Sequence, residues 1–383
     1  MQTILRGGIL LTPDQSLVDH SLIIDGDKIL DILSGSSVPL VVDEVIDVNG
    51  LFVVPGFIDI HVHGAVGFDT MDSTSEAILT MGDYFARHGV TAFLPTTVTA
   101  SGKDTQAAII NVANTPVSSK GARHLGIHLE GPYVSHEFRG AQPPQHLRAA
   151  DPAEYHMWLE SSQVRLITVA PEVEGVPELI SAGRKTGIEF ALGHTSASYE
   201  QVLAAVDRGL RQATHTFNGM AGLNHRAPGA LGAVLSDDRI WAQIIVDGVH
   251  VHPAVVKLLI RAKGIDHTII VTDAIRASGM ADGDYALGDQ MVHVKGGIAR
   301  TDAGGLAGST LTMDQALRNV MEYANLSLLE ALPMLTRVPA AAIGVEDRKG
   351  FLRPGFDADI VVLDQSYGVR MTIVGGNVVY RNL

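Results

Sequence analysis

The stretch Pro55–Gly64, PGFIDIHVHG, places two histidines two residues apart, directly after a short apolar run. Side chains two residues apart on an extended chain point to the same face, so His61 and His63 point the same way. The stretch therefore predicts a pair of metal ligands at the end of a buried strand. The alternative is a chance pair in a chain with 16 histidines, and the rest of the sequence must decide.

Composition narrows the class of protein. The chain has 383 residues, of which 46% are hydrophobic, and this is typical of a globular protein with a sizeable core. Its net charge of −14, without a cluster of Lys and Arg, argues against a nucleic-acid partner. Cysteine is absent, so any metal must bind to His, Asp or Glu, which suit zinc, iron or manganese.

The sequence also carries no membrane signal. No apolar run approaches the roughly 20 residues that a membrane-spanning helix needs. The first residues, MQTILRGGILLTPDQS, lack the charged and then apolar pattern of a signal peptide. We therefore expect no membrane partner and a cytoplasmic protein.

The two ends of the chain read as short strands separated by turn signals such as Asp25-Gly26 and Asn49-Gly50. We interpret residues 1–54 and 350–383 as one small β-sandwich built from both termini. The alternative is two unrelated terminal extensions, but each end alone has too few strands for a core.

Between the ends, in residues 55–349, strand-like runs alternate with helix-like segments. Eight such strands predict a (β/α)8 TIM-type barrel, although the pattern alone leaves a doubly wound sheet open. The sixth run is too short and too polar to predict a strand by itself. The eight runs are 57–60, 90–98, 123–129, 164–169, 187–192, 211–214, 240–246 and 267–272.

Six potential metal ligands follow these runs, where catalytic groups lie in a barrel of this type. Such a set can hold one or two divalent ions, with one carboxylate bridging them. Because no lysine lies at a strand end, a carbamylated lysine is excluded as the bridge, and Glu130 is the best candidate. We predict about two divalent ions per chain. The six residues are His61, His63, Glu130, His194, His215 and Asp273.

Each of these residues has an ordinary alternative when it is considered singly. Glu130 could belong to a turn, and Asp273 could cap a helix. A single histidine after a strand usually makes a routine hydrogen bond in a loop. We assign that role to the other histidines singled out in the chain, which are His124, His128, His136, His146, His156, His225, His252 and His293.

Several motifs, taken in order along the chain, resemble one family. PGFIDIHVHG and RKGFLRPGFDADIVVLD are similar to the amidohydrolase superfamily. GIHLEGPY, ALGHTSAS, ATHTFNGM, VDGVHV, VTDA and GSTLTM resemble the N-acetylglucosamine-6-phosphate deacetylases in particular. The resemblance spans essentially the whole chain. It implies that the chain hydrolyses the N-acetyl group of a phosphorylated amino sugar to give glucosamine 6-phosphate and acetate.

The resemblance also implies roles for the strand-end residues. Glu130, His194 and His215 match the metal ligands of all family members. The pair His61 and His63 occurs in members with two metals and is absent from those with one. Asp273 matches the group that takes a proton from water and then protonates the leaving amine.

Four further residues match the part of the family's site that holds the phosphorylated sugar. Asn218 and Gly219 match a stretch that meets the phosphate and the sugar. Arg226 and His250 match phosphate-binding residues, and in this family the arginine reaches in from a neighbouring subunit. The resemblance therefore implies a homodimer whose sites are completed across the interface.

Leu306 matches a lid residue over the acetyl group, and Gln142 matches the group that polarises the amide carbonyl. Many members have histidine where this chain has Gln142, which can donate a hydrogen bond but carries no positive charge. Gly219 stands where alanine is usual, and Ala307 stands where serine is usual. We expect both of these differences to have small effects.

Three other functions compete with this one. A deacetylase for a related sugar, such as N-acetylgalactosamine 6-phosphate, fits the same motifs. A cyclic-amide hydrolase or deaminase of the superfamily is disfavoured by the missing strand-end lysine and by the Glu130 motif. A non-catalytic relative is also conceivable, but such proteins typically lose ligands and this chain has all six.

Overall fold

The computed structural model describes residues 2–12, 15–35 and 42–383. Its centre is a set of eight parallel strands in chain order, each hydrogen-bonded to the next. The predicted barrel is confirmed, including the sixth strand, which has only two residues. The barrel strands are Phe57–Val62, Val90–Thr97, Ile127–Glu130, Val164–Val169, Glu189–Leu192, Gln212–Ala213, Trp241–Ile244 and Thr268–Ile270.

The first and eighth strands approach each other and nearly close the barrel. The backbone N–H of Asp273 donates to the carbonyl of His61 at 2.9 Å. The hydroxyl of Thr272 donates to the buried carboxyl group of Asp59 at 2.5 Å. This seam excludes the open doubly wound sheet, and it runs directly past the first predicted metal ligands.

The helices between the strands follow ordinary helix rules. Ser75–Arg87 begins after Thr74, whose hydroxyl accepts a backbone N–H of the first turn, and it buries Ile78, Met81 and Phe85 on one face. The remaining α-helices are Gly102–Asn114, Pro152–Leu159, Val176–Gly183, Tyr199–Arg208, Gly229–Ser236, Pro253–Lys263, Met313–Ala324, Leu328–Ala331 and Arg337–Ala342.

The two ends of the chain share one mixed sheet of eight strands. Phe52–Pro55 joins them, because it pairs with Gln2–Leu11 on one side and with Ile360–Leu363 on the other. The sheet has its own buried cluster, which includes Leu22 and Ile373, so the ends are not independent extensions. The other strands are Ser16–Asp25, Lys28–Ser34, Glu44–Asp47, Val369–Val374 and Asn377–Arg381.

A three-stranded antiparallel sheet that the sequence did not predict follows the eighth barrel strand. Its strands are Gly283–Leu287, Gln290–Lys295 and Ile298–Thr301. It packs a small apolar cluster, including Val292, against Ile275. We call residues 283–301 the lid sheet, because the chain at and just after its last strand lines the cavity described below. Among the described residues, no helix is long and apolar enough to cross a membrane.

Candidate metal centre and substrate cavity

The structure brings the six predicted ligands together in two buried triads. The first triad joins His61, near the end of the first strand, and His63, just after it, to Asp273, which follows the eighth strand. The two Nε2 atoms are 3.2 Å apart, and Asp273 Oδ1 lies 3.4 Å from His61 Nε2 and 3.2 Å from His63 Nε2. All three side chains therefore converge on one point.

The second triad draws on three different strands. Glu130 ends the third strand, and His194 and His215 follow the fifth and the sixth. Glu130 Oε1 lies 3.2 Å from His194 Nε2 and 3.0 Å from His215 Nε2, and these two nitrogens are 3.1 Å apart. Glu130 Oε2 lies 3.3 Å from His63 Nε2, so the carboxylate stands between the triads.

These atoms fit a divalent ion. Nitrogen and oxygen ligands about 2.1 Å from a tetrahedral ion stand roughly 3.4 Å apart, close to the separations in both triads. His63 Nδ1 lies 3.2 Å from the carbonyl of Thr96, and His194 Nδ1 lies 2.9 Å from the carbonyl of Phe138. These bonds place a proton on Nδ1 and leave Nε2 free to bind metal, as is usual for ligating histidines.

Burial and neighbouring charge set the ionisation of the first triad. Burial lowers the pKa of His61 to about 4, so its ring is neutral, the form that binds metal. Burial tends to raise the pKa of Asp273, but His61 and His63 outweigh it and lower this pKa to about 2. Burial likewise opposes ionisation of Glu130, yet the surrounding histidines hold its pKa well below the usual range.

Three of the six residues have a left-handed backbone. The φ angles are +47° at His194, +29° at His215 and +51° at Asp273. Such angles cost on the order of 1–3 kcal/mol in residues other than glycine, and they are typical of functional sites. The strands end here with their side chains turned inward.

A cavity of 460 Å³ opens above the two triads. The predicted residues Gln142, Asn218, Gly219, His250 and Leu306 all line it. Arg226 does not line the cavity of its own chain. It is exposed in the loop 221–228, where its backbone N–H donates to Asn224 Oδ1.

Gln142 is buried and contacts the metal centre directly. Its Nε2 donates to Glu130 Oε2 at 2.8 Å, and its Oε1 accepts the backbone N–H of Thr99 at 2.8 Å. The side chain therefore holds the carboxylate of Glu130, a contact that the sequence prediction did not include.

The backbone at Gly219 leaves little room for a side chain. Its φ is +64°, and an added Cβ would stand 2.8 Å from His194 Nδ1. An alanine on this backbone would press on His194, a predicted ligand.

His250 lies in the cavity wall beside a carboxylate. Its Nδ1 lies 2.7 Å from Asp247 Oδ2. Burial tends to lower the pKa of His250, but the hydrogen bond and charge of Asp247 outweigh it and raise this pKa. A cationic imidazole here suits an anionic group on a ligand.

Sequence reasoning missed one buried residue beside the centre. His128 was assigned a routine loop role, yet its ring is fully buried in the third barrel strand. Its position two residues before Glu130 was the available signal, because alternate residues of a strand share a face.

Comparison with known proteins identifies the family. Residues 52–379 match the Amidohydrolase family. The chain therefore belongs to the amidohydrolase family. Within it, the resemblance to N-acetylglucosamine-6-phosphate deacetylases is confirmed by curated relatives and solved structures.

Two curated relatives and one structure illustrate the similarity. The N-acetylgalactosamine-6-phosphate deacetylase of Escherichia coli O157:H7 is 38% identical over 379 residues, covering 98% of this chain and 99% of the relative. The N-acetylglucosamine-6-phosphate deacetylase of Vibrio furnissii is 40% identical over 340 residues, covering 88% and 85%. A variant of the Mycobacterium smegmatis N-acetyl-D-glucosamine-6-phosphate deacetylase, solved with N-acetyl-D-glucosamine-6-phosphate, is 32% identical with a TM-score of 0.91, covering 99% of both chains.

Proposed function

We propose that this enzyme hydrolyses the N-acetyl group of N-acetyl-D-glucosamine 6-phosphate to glucosamine 6-phosphate and acetate. The observation that carries the proposal is Glu130, which stands between two histidine-containing triads on the floor of a cavity large enough for a sugar phosphate. Relatives that act on the 6-phosphates of N-acetyl amino sugars match nearly the whole chain.

We assign two divalent ions to the centre, one to each triad, and the nitrogen and oxygen donors suit zinc, iron or manganese. When bound, such an ion polarises a carbonyl and lowers the pKa of water from 15.7 to about 7. Glu130 contributes one oxygen toward each triad, and Gln142 keeps that carboxylate oriented.

Asp273 moves the proton. Its lowered pKa keeps the carboxylate ionised at neutral pH, and the side chain lines the cavity. It accepts a proton from the attacking water and delivers it to the amine nitrogen as the C–N bond breaks. The new C–O bond remains in acetate, so one water is consumed for each amide cleaved.

The phosphate is assigned to His250, Asn218 and Gly219 of one chain and to Arg226 of a neighbouring copy. Arg226 is exposed and absent from its own cavity, and Leu223 in the same loop is 57% exposed. A planar guanidinium pairs bidentately with phosphate oxygens. These features support a homodimer in which each loop 221–228 completes the other site, and Leu306 covers the acetyl end.

We also propose the division predicted from the sequence, with residues 55–349 as the catalytic barrel and residues 1–54 and 350–383 as a small β domain. The terminal strands pair in one mixed sheet, where the sequence prediction was a β-sandwich. The separate buried cluster of the terminal sheet supports this division. The cytoplasmic location stays a prediction.

A second candidate substrate is N-acetylgalactosamine 6-phosphate. It is favoured by the Escherichia coli O157:H7 relative, which is matched over 99% of its length. The two sugars are epimers that differ only in the orientation of one hydroxyl. This difference is far smaller than the one between an N-acetyl sugar phosphate and a cyclic amide.

The test is acetate release by the metal-loaded protein from both N-acetyl sugar 6-phosphates and from their unphosphorylated forms. We expect turnover of the phosphorylated sugars and much weaker turnover without phosphate. The ratio of kcat/KM for the two epimers identifies the substrate. No acetate from either phosphate, with metal present, would contradict the proposed function.

A further inference from the structure

A chain of buried polar side chains crosses the barrel one layer below the metal centre. His128 Nε2 lies 2.7 Å from Thr168 Oγ1, and His128 Nδ1 lies 3.3 Å from Thr96 Oγ1. Thr168 Oγ1 in turn lies 2.7 Å from Thr214 Oγ1. All four side chains are fully buried, so hydrogen bonds to solvent do not stabilise them.

This chain contacts the first triad in two ways. The ring of His128 meets the ring of His61 edge-on, with centroids 4.8 Å apart and an interplanar angle of 85°. Thr96 Oγ1 accepts the backbone N–H of Val62 at 3.0 Å, and the Thr96 carbonyl lies 3.2 Å from His63 Nδ1. Thr96 thus holds both the backbone between the two histidines and the ring of the second.

The interior of such a barrel is ordinarily filled by branched apolar residues. A buried imidazole and three hydroxyls cost free energy unless they are hydrogen-bonded to one another. The observed pairing satisfies both nitrogens of His128. Apolar residues would fill the same layer without needing hydrogen-bond partners. Packing alone therefore does not explain why His128 and the three threonines are here.

We propose that His128 is a positioning residue for the His61–His63–Asp273 triad. By packing on His61, and by fixing Thr96, it aims the two Nε2 atoms at a common ion. The proposal rests on the proposed two-ion centre. It assigns His128 to one triad only, because its ring contacts His61 and it makes no hydrogen bond to Glu130, His194 or His215 among the described residues.

The test measures ion binding rather than activity. Metal-free protein is titrated with Zn²⁺ against a chromophoric chelator, and His61→Ala identifies the ion held by the first triad. Loss of an outer-shell partner typically weakens metal binding by about 10- to 100-fold. We expect His128→Phe to weaken the first-triad ion by that factor and to leave the other ion near its wild-type affinity.

The matched control is His124→Phe. His124 lies four residues earlier, is only partly buried, and has its Nε2 3.3 Å from the Thr115 carbonyl, away from the centre. The same change there should leave both affinities unaltered. Wild-type affinity for both ions in His128→Phe would overturn the proposal.

A second pair of variants keeps the test decisive if His128→Phe does not fold. Thr168→Val removes the hydroxyl that holds His128 Nε2 while nearly preserving shape, whereas Thr168→Ser retains the hydroxyl. We expect loss of first-triad affinity in Thr168→Val and recovery in Thr168→Ser. Equal affinities in the two variants would contradict the positioning role. Wild-type protein that binds no Zn²⁺ would instead reject the proposed function.

Discussion

The floor and the rim of the cavity are built on different principles. The floor consists of the six residues of the two triads, all buried and all held by strand ends. The rim consists of Asn218, Gly219, His250 and Leu306, which lie in loops and just after the lid sheet. The floor is complete within one chain, whereas the rim lacks the predicted cation Arg226 in its own cavity. Chemistry and recognition are therefore separated in space, and mutations should separate kcat from KM.

The largest effect is expected on the floor, at Asp273. Asp273→Asn removes the proton carrier, and general acid–base catalysis is worth about 100- to 10,000-fold. We expect kcat to fall by about 100-fold or more while KM changes less. Steady-state kinetics should be measured with metal content, because Asp273 also belongs to the first triad. An unchanged kcat at full metal occupancy would remove Asp273 from the mechanism.

His61→Ala tests the floor through its ions. The wild type should contain close to two divalent ions per chain, and the variant about one, because the first triad loses a direct ligand. Elemental analysis after gentle purification measures both values, and His124→Ala serves as a control. One ion per chain in wild type and variant alike would end the two-ion assignment.

Arg226→Ala tests the rim. Loss of a charge-assisted, bidentate contact costs about 1.5–3 kcal/mol, so KM for the phosphorylated sugar should rise by about 10- to 100-fold. The exposed Arg261→Ala is a matched control, since Arg261 lies away from the cavity.

Hybrid dimers then show which chain each residue serves. When the Arg226→Ala and Asp273→Asn variants exchange subunits, hybrid dimers form. If Arg226 acts across a two-fold interface, one site of each hybrid has the intact Asp273 of one chain and the intact Arg226 of the other. Activity at low substrate should then partly return. Confirmed exchange without recovery would mean that Arg226 acts within its own chain or has no role.

The pH dependence of KM tests whether His250, a rim residue, binds the phosphate as a cation. Asp247 raises the pKa of His250 above its usual 6.5, so the positive charge persists to higher pH and is lost as pH rises through the raised value. The other charged groups that influence His250 are Asp273 and Arg300. From about pH 7 upward the substrate phosphate is already a dianion, so KM should rise with pH as the imidazole loses its proton.

Asp247→Asn should move that rise in KM to lower pH, since burial alone lowers the pKa of His250. The His250–Asp247 pair also stabilises the folded protein in a pH-dependent way. This contribution is fully present below the pKa that His250 has in the unfolded chain, and it is lost as pH rises through the raised pKa of the folded state. Asp238→Asn removes the same charge at an exposed position and should leave the profile unchanged. If the wild type, Asp247→Asn and Asp238→Asn have the same dependence of KM on pH, then protonation of His250 does not control phosphate binding.

The smallest effect is expected at Gln142. Removing its amide leaves Glu130 Oε2 without one hydrogen bond in a buried site, at a cost of about 1–3 kcal/mol. We expect Gln142→Ala to lower kcat/KM by about 10-fold and to weaken metal binding modestly. Gln145→Ala, a change at an exposed position three residues further along the chain, is the control. A loss as large as that of Asp273→Asn would give Gln142 a direct catalytic role.

Much of this site could be predicted because apolar runs in the sequence indicate where the barrel strands end. His61-x-His63 follows an apolar run, and Glu130 ends another, so period-two alternation and barrel topology place these residues without coordinates. The lid sheet was missed, since its short strands alternate polar and apolar residues over only a few positions. The role of His128 was missed for a related reason. Its position two residues before Glu130 indicated a shared strand face, but a shared face does not show which buried hydroxyls the ring would contact.

The sequence by itself determined the ligand chemistry, the alternation of strands and helices and the family resemblance, because residue type, spacing and hydrophobic period are local properties. The choice between a closed barrel and an open doubly wound sheet needed the contacts between the first and eighth strands. Only the tertiary structure decided how those residues meet. It turned His194, His215 and Asp273 inward through left-handed backbone angles. It also set Gln142 against Glu130 and pressed Gly219 close to His194. These contacts join a loop residue to a residue at or just after a strand end, and their distances depend on how the loops fold over the barrel, which no local sequence pattern specifies.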